Sequence, residues 1–119
     1  MIRKIRILLA DDHTILRDGI RALLEAEADM SVIGEVEDGH SAVRMACELE
    51  PDVILMDIAM PLLNGLEATR QIHRARPGIK ILILSMHENE EYIRQVLANG
   101  AMAFLRRLRG RRYSCSRAR

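Results

Sequence analysis

The sequence is poor in aromatic residues: its 119 residues include no Trp, two Tyr and one Phe. Any hydrophobic core must therefore be built from Ile, Leu, Val, Met and Ala, which is a normal aliphatic core. A chain of this length fits one domain, because single domains commonly contain about 100 to 150 residues. A second folded module is not expected.

Cysteine is also scarce, with only Cys47 and Cys115. The two lack the paired spacing of a disulfide framework, and the His residues lack the spacing of a zinc site. Long apolar runs are missing too, since the run at 7–10 ends at two acidic residues. That run is too short for a signal peptide or a membrane-spanning helix. We therefore expect a cytoplasmic protein with reduced thiols and no membrane partner.

Charge is unevenly distributed along the chain. The formal net charge is +1, but residues 106–119 contain seven Arg and no acidic residue, which leaves −6 for residues 1–105. This break predicts a domain at 1–105 and a basic tail at 106–119. The tail has no apolar residues at helical spacing, so we expect no well-packed helix there. Seven Arg allow weak, salt-sensitive nucleic-acid binding, which ranks last among the functions considered.

Short aliphatic runs alternate with longer segments of helical periodicity. The runs predict five strands, at 5–10, 31–36, 53–56, 79–84 and 101–105. Helices are predicted between them, one with Thr14 as its N-terminal cap and the others at 41–49, 66–75 and 90–98. The first helix has an apolar face made of Ile15, Leu16, Ile20, Leu23 and Leu24. Strands alternating with helices are typical of an α/β protein, here a three-layer, doubly wound parallel sheet of five strands.

Acidic and hydroxyl side chains follow three of these strands. Asp11 and Asp12 follow the first, Asp57 the third and Ser85 the fourth. In open parallel sheets the site lies beyond the carboxyl ends of the strands, so these side chains should meet at one edge. Carboxylates about 4 Å apart repel by about 1 kcal/mol in water and about 4 kcal/mol at an effective dielectric near 20. The all-oxygen set therefore favours a hard cation such as Mg²⁺ that shares coordination with phosphate.

Asp57 has the chemistry of a nucleophile in such a pocket. A carboxylate can attack phosphorus and form an acyl phosphate if the charge on the transferring oxygens is neutralised. Mg²⁺, the hydroxyl of Ser85 and a base near the fifth strand would meet that need. Acids at strand ends also cap helices or lie in solvated loops. We favour that second interpretation for Asp18, Asp38 and Asp52, but not for the acids at the strand ends.

Four stretches carry a resemblance to a known family: 9–13 with 17–19, 51–61 with Gly65, 83–87 and 100–105. In their order and residues they resemble the receiver domain of response regulators, of the CheY-like superfamily and in detail of the NarL/FixJ-type subfamily. The resemblance spans residues 1–105. It implies a flavodoxin-like (βα)₅ fold and phosphorylation by a sensor histidine kinase. Such regulators usually bind DNA through an output domain, which this sequence does not encode.

The resemblance also implies roles for the acidic residues. Asp57 resembles the phosphoacceptor, Asp12 a direct Mg²⁺ ligand and Asp11 a ligand that acts mainly through water. The backbone carbonyl of Ala59 would complete the coordination by the protein. His13 follows the acidic pair, but we assign it no metal role because an exposed loop residue needs no function.

Further roles and two departures concern the predicted end of the domain. Ser85 resembles the hydroxyl that contacts the phosphoryl group, and Phe104 the aromatic residue that switches rotamer. Arg107 stands where the family has Lys, and its bulkier planar group implies slower phosphorylation. Arg106 would face a helix-covered surface, where an unpaired charge is costly. We therefore expect the fifth strand to fray or to end at Leu105.

The tail also implies that the fifth helix is absent or degenerate. Its loss would expose apolar surface on one sheet face, and we expect a homodimer or higher self-association to cover it.

Two other functions stay open. A metal-dependent phosphatase would need a substrate cap and a proton donor, and we find neither. A receiver-like interaction module that is not efficiently phosphorylated is suggested by Arg107. The favoured prediction is a signalling domain, not an enzyme.

Overall fold

The computed structural model describes residues 3–57, 63–85, 103–107 and 113–117, together with Arg94 and Ala98. The strands are β1 (Ile5–Ala10), β2 (Met30–Val36), β3 (Val53–Asp57), β4 (Lys80–Ser85), β5 (Ala103–Arg107) and β6 (Tyr113–Arg117). The helices are α1 (Thr14–Glu25), α2 (Gly39–Leu49) and α3 (Gly65–Ala75). The predicted helix at 90–98 lies outside the described residues except for Arg94 and Ala98, which are helical. Among the described residues, no helix is long and apolar enough to cross a membrane.

The strands form one sheet of order β2-β1-β3-β4-β5-β6. Each neighbouring pair among the first five is parallel, and β6 pairs antiparallel with β5. The prediction of an α/β, doubly wound parallel sheet is therefore confirmed. The strand β1 lies between β2 and β3, so the chain adds β2 on one side of β1 and β3 on the other. The direction in which strands are added to the sheet therefore reverses between β1 and β3. Ligands of open α/β sheets bind beyond the strand ends at this position.

The fifth strand ends later than the sequence predicted. The expected end at Leu105 is wrong, because β5 continues to Arg107. Arg106 pairs with Ser85 of β4 on one side and with Ser114 of β6 on the other. The reason is that β6 supplies a second hydrogen-bonding edge, which extends a strand that would otherwise lie at the border of the sheet. The division of the chain at residue 105 into domain and tail stays a prediction.

The sixth strand was not predicted. The sequence analysis expected no well-packed helix in the tail, and residues 113–117 are a strand and not a helix. Antiparallel pairing needs only a short connection between strands, and five residues separate β5 from β6.

One face of the central strands is fully buried. Alternate residues of the central strands, Ile54 and Met56 in β3 and Ile81 and Ile83 in β4, are 0% exposed. They join one apolar cluster with small and aliphatic residues of α2 and α3, namely Ala42, Ala46, Ala68 and Ile72. Small side chains let the two helices approach the sheet and each other closely. The core is aliphatic, as the scarcity of aromatic residues predicted.

The opposite face of the sheet, on the side of α1, is only partly covered. Leu55, Leu82 and Leu84 are half-buried, although their neighbours on the other face are buried. The helix α1 packs on β1 and β2, yet Ile15 is 89% exposed and Leu23 is 74% exposed. The apolar face that the sequence predicted for α1 is therefore only partly buried. The apolar face of α1 is wider than the area in which α1 contacts β1 and β2. Residues 113–117, in the segment where a fifth helix was considered, form the strand β6.

Side-chain caps fix the start of two helices. The carboxylate of Asp38 accepts a hydrogen bond from the backbone N–H of Ser41 at 2.7 Å, and α2 begins two residues earlier than predicted. The side chain of Asn64 accepts a bond from the backbone N–H of Glu67 at 2.9 Å. At α1, by contrast, the N-cap is His13, which makes no side-chain cap bond, and Thr14 is the first helical residue. The prediction of Thr14 as the cap is therefore wrong.

The two caps give a prediction with a defined pH dependence. Asp38→Ala and Asn64→Ala should each lower the free energy of unfolding by about 1 kcal/mol at neutral pH. The hydrogen bond from Ser41 lowers the pKa of Asp38 below its usual value of 3.8. Its stabilisation is therefore present above that value and is lost as the pH falls through the folded-state pKa. Urea unfolding down to about pH 3 should show the Asp38→Ala penalty shrinking. A constant penalty, like that of the uncharged Asn64 cap, would contradict this.

A second prediction concerns two glycines. A Cβ atom on Gly39 would lie 1.8 Å from the backbone oxygen of Leu63, whereas a Cβ on Gly19 would meet nothing within 4 Å. Gly39→Ala should therefore destabilise the protein by about 1 to 3 kcal/mol through overpacking. Gly19→Ala, in the exposed interior of α1, should stabilise it by about 1 kcal/mol. Urea midpoints measure both changes, and a shift of the same sign in the two variants would refute the packing argument.

Candidate functional site

Three carboxylates converge at the carboxyl edge of the sheet. Asp57 is the last residue of β3, and Asp11 and Asp12 follow β1, its neighbour in the sheet. One oxygen from each of these carboxylates and a ring nitrogen of His13 all lie within 4.8 Å of one another. The predicted meeting of these acids is thus present in the structure. The cluster lies where the order of strands reverses.

The carboxylates differ in exposure. The side chain of Asp11 is 7% exposed and that of Asp57 is 13% exposed, whereas that of Asp12 is 33% exposed. One oxygen of Asp11, Oδ2, is buried and makes no hydrogen bond to the described residues. A buried carboxylate oxygen without a partner is costly. A divalent cation among these oxygens would satisfy it, so the residues present fit an oxygen-ligated metal such as Mg²⁺.

His13 lies closer to the cluster than the sequence analysis assumed. Its Nδ1 is 2.9 Å from Oδ1 of Asp11, 3.1 Å from Oδ1 of Asp12 and 3.4 Å from Oδ2 of Asp57. The hydrogen bond with Asp11 and then the charge of Asp12 raise the pKa of His13 above its usual value of 6.5. A protonated ring would offset part of the repulsion among the acids. Its position directly after the acidic pair was the signal in the sequence.

For three of the remaining predicted site residues the structure describes the backbone but not the side chain. Ser85 ends β4, next to β3, and Phe104 and Arg107 lie in β5. The backbone therefore brings Ser85 to the same edge as Asp57. The side chains of these three residues, and Ala59 as a whole, lie outside what the structure describes.

A residue that the sequence analysis did not assign to the site is Arg17. Its guanidinium donates to the backbone oxygen of Asp11 at 2.6 Å and to carboxylates of Glu35 and Glu37. Burial lowers the pKa of Arg17, but the hydrogen bond and charge of Glu37, followed by those of Glu35, raise it above its usual value overall. A basic residue beside the apolar positions of α1 was the available signal.

Comparison with known proteins agrees with this geometry. The family model described as "Response regulator receiver domain" matches residues 7–109. This chain belongs to the response regulator receiver family. The receiver domain is 44% identical over 102 residues to the transcriptional regulatory protein DegU of Brevibacillus brevis, covering 86% of this chain and 43% of that protein. It is 46% identical over 101 residues to the transcriptional regulatory protein LiaR of Bacillus subtilis (strain 168), covering 85% and 48%.

Solved receiver domains share the fold. The response regulator domain of Thermotoga maritima CheB superposes with a TM-score of 0.84 at 37% identity, covering 91% of this chain and 81% of that one. The receiver domain of a putative response regulator NarL from Mycobacterium tuberculosis gives 0.83 at 29% identity, covering 86% and 82%. The predicted family and subfamily are thus confirmed. The receiver domain spans about half the length of the curated relatives DegU and LiaR.

These relatives fix the broad class of function. Receiver domains are signalling domains of two-component response regulators and not classical enzymes, and the relatives named above are regulators of transcription. Receiver domains bind Mg²⁺ at an acidic pocket, and the acids of this chain form a cluster that could hold a metal.

Proposed function

We propose that this receiver domain is a phosphorylation switch in which Asp57 accepts a phosphoryl group from a sensor histidine kinase. The observation that supports it is the cluster of Asp11, Asp12 and Asp57 with its unpartnered buried oxygen. An acid cluster of this kind is costly unless a cation offsets the repulsion among the carboxylates. The parent regulator would act on transcription through a DNA-binding output domain.

The phosphoryl transfer follows from the position of Asp57. A carboxylate oxygen of Asp57 attacks the phosphorus of phosphohistidine on the kinase, an O–P bond forms, and the P–N bond breaks. The departing imidazole nitrogen retains the electron pair of that bond and can take up a proton. The later loss of the phosphoryl group to water returns the carboxylate. The receiver domain contributes the nucleophile to the first step, and in the second step water is the nucleophile and the carboxylate of Asp57 is the leaving group.

The acids at the end of β1 would hold the metal. Asp12 is proposed as a direct ligand, Asp11 as a ligand mainly through water, and Asp57 with the carbonyl of Ala59 as the ligands from the β3 side. When bound, Mg²⁺ supplies positive charge that neutralises the phosphoryl oxygens.

The signal would leave the site through β4 and β5. Ser85 is proposed to bond a phosphoryl oxygen, and Arg107 to supply a cation at the end of β5. Phe104, two strands from Asp57, would change rotamer as the loop after β4 follows the phosphoryl group. The change needs only a few kcal/mol between two packings, so phosphorylation shifts a population that already exists.

The test is covalent labelling. Incubation with Mg²⁺ and a small phosphodonor should add the mass of one phosphoryl group, measured on the intact protein. Asp57→Asn should abolish the adduct because the amide is a poor nucleophile. Chelation of Mg²⁺ should abolish it as well. Asp18→Asn, the same chemical change at an exposed acid of α1, should leave labelling unchanged.

The competing interaction module predicts a different result. If the wild-type protein gains no adduct while a known receiver domain labelled in parallel does, the switch is refuted. Arg107→Lys then separates the causes, because Lys returns the compact ammonium of the family. An adduct on Arg107→Lys alone would assign the defect to Arg107 and favour the interaction module.

We also propose that a second copy of the receiver domain covers the open face. This face consists of the exposed side of α1 and the half-buried leucines of β3 and β4 next to it. One stripe of α1 and its C-cap has large apolar residues, Ile15 and Leu23, and the small residues Gly19, Ala22 and Ala26, none of which is charged. An uncharged surface can pair with its own copy across a two-fold axis without like-charge repulsion.

Light scattering over a concentration series tests self-association. The wild-type mass should rise toward that of a dimer, and Leu23→Glu should keep it monomeric by placing a charge in the contact. Leu23 is mostly exposed, so the fold should tolerate the change. Ala75→Glu adds the same charge at an exposed position of α3 and should still associate. A wild-type protein that stays monomeric at high concentration would rule out this interface.

A further inference from the structure

Arg17 is a charged side chain that is largely removed from solvent. It lies one turn into α1, and its side chain is only 11% exposed. All three guanidinium nitrogens have a partner: NH1 donates to the backbone oxygen of Asp11 at 2.6 Å, Nε to Glu35 at 3.2 Å and NH2 to Glu37 at 3.0 Å. The side chain therefore links the start of α1 to the ends of both β1 and β2.

The bond to Asp11 fixes one particular peptide group. The backbone N–H of Asp11 donates to the backbone oxygen of Val36 at 3.0 Å, and its carbonyl accepts from Arg17. Both backbone polar groups of Asp11 are thus held. The carbonyl belongs to the peptide plane that joins Asp11 to Asp12. Its orientation sets the direction in which the chain continues to Asp12.

Asp12 depends on this orientation more than the other acids do. It follows the end of β1 and precedes α1, so it lies in neither element. Its side chain is the most exposed of the three carboxylates, and its near contact among the described residues is His13, whose own ring is 63% exposed. The position of the Asp12 carboxylate is therefore set mainly by its backbone.

The two acids that bond Arg17 connect its guanidinium to β2. Glu35 is in β2 and Glu37 directly follows it, so both are anchored to the strand beside β1. A planar guanidinium with several fixed donors can bond three acceptors at once, which a flexible ammonium cannot. Arg21 also bonds Glu35, at 2.8 Å, but has no bond to Asp11 and is 47% exposed.

We propose that Arg17 is a positioning residue for the metal site, which holds the Asp11–Asp12 peptide so that Asp12 meets Asp11 and Asp57. The role rests on the proposed function, because it concerns the affinity of that acidic pocket for Mg²⁺. Arg17 itself touches neither metal nor phosphoryl group in this role. Partners that orient ligands in this way commonly change metal affinity by about 10 to 100-fold when removed.

Calorimetric titration with MgCl₂ tests the role on the unphosphorylated protein. Arg17→Gln should weaken Mg²⁺ binding by about tenfold. Arg21→Gln removes a neighbouring charge that bonds the same Glu35, and it should change the affinity by less than about twofold. Arg17→Lys keeps the charge without the three-way geometry, so its affinity should lie between those of wild type and Arg17→Gln.

A second readout separates positioning from general support of the fold. In metal-free protein, the amide NMR signal of Asp12 should shift in Arg17→Gln because the Asp11 carbonyl loses its donor, while signals from α3 stay in place. A folded Arg17→Gln with wild-type Mg²⁺ affinity would overturn the proposal, as would equal losses in the Arg17→Gln and Arg21→Gln variants.

Two further outcomes are decisive. If Arg17→Gln does not fold, Arg17→Lys takes its place, and a folded Arg17→Lys with unchanged affinity overturns the role. A wild-type protein that binds no Mg²⁺ overturns the proposed metal site and the role of Arg17 with it. Binding by wild type with no effect at Arg17 overturns only the positioning role.

Discussion

The mutual repulsion of Asp11, Asp12 and Asp57 is the constraint on which this structure depends. The fold brings like charges within a few ångströms of one another, although each would be more stable alone in water. The parallel sheet makes this possible, because β1 and β3 are neighbours held by a ladder that does not involve the acids. The stability of the buried strands thus opposes the electrostatic cost at their ends.

The charges around the cluster are arranged in layers. His13 lies against the carboxylates from the solvent side, and Arg17 holds the backbone beneath them. Glu35 and Glu37 in turn compensate Arg17, so that little unpaired charge lies behind the pocket. The three carboxylates are therefore the charged groups of the site that remain for an incoming cation.

The two faces of the sheet differ in how completely helices cover them. The face under α2 and α3 is closed by alanines and isoleucines, and it holds β3 and β4 rigidly under Asp57. The face on the side of α1 leaves Ile15 and Leu23 exposed. The strand β6 widens the sheet but, as an edge strand, adds hydrogen bonds in its plane and not a covering layer. The helix α1 connects the two regions, because it begins directly after the acids of the site and its exposed residues form part of the open face.

Local sequence patterns were enough to predict the order of strands and helices along the chain, the aliphatic core, the family and the acids that meet at the site. These follow from local periodicity and from motifs such as the acidic pair after β1, which need no knowledge of distant contacts. Tertiary structure alone decided that Arg17 bonds the carbonyl of Asp11, that His13 lies among the acids, and that residues 113–117 pair with β5. Each depends on groups far apart in the sequence or on the direction of a side chain, and neither composition nor periodicity specifies those.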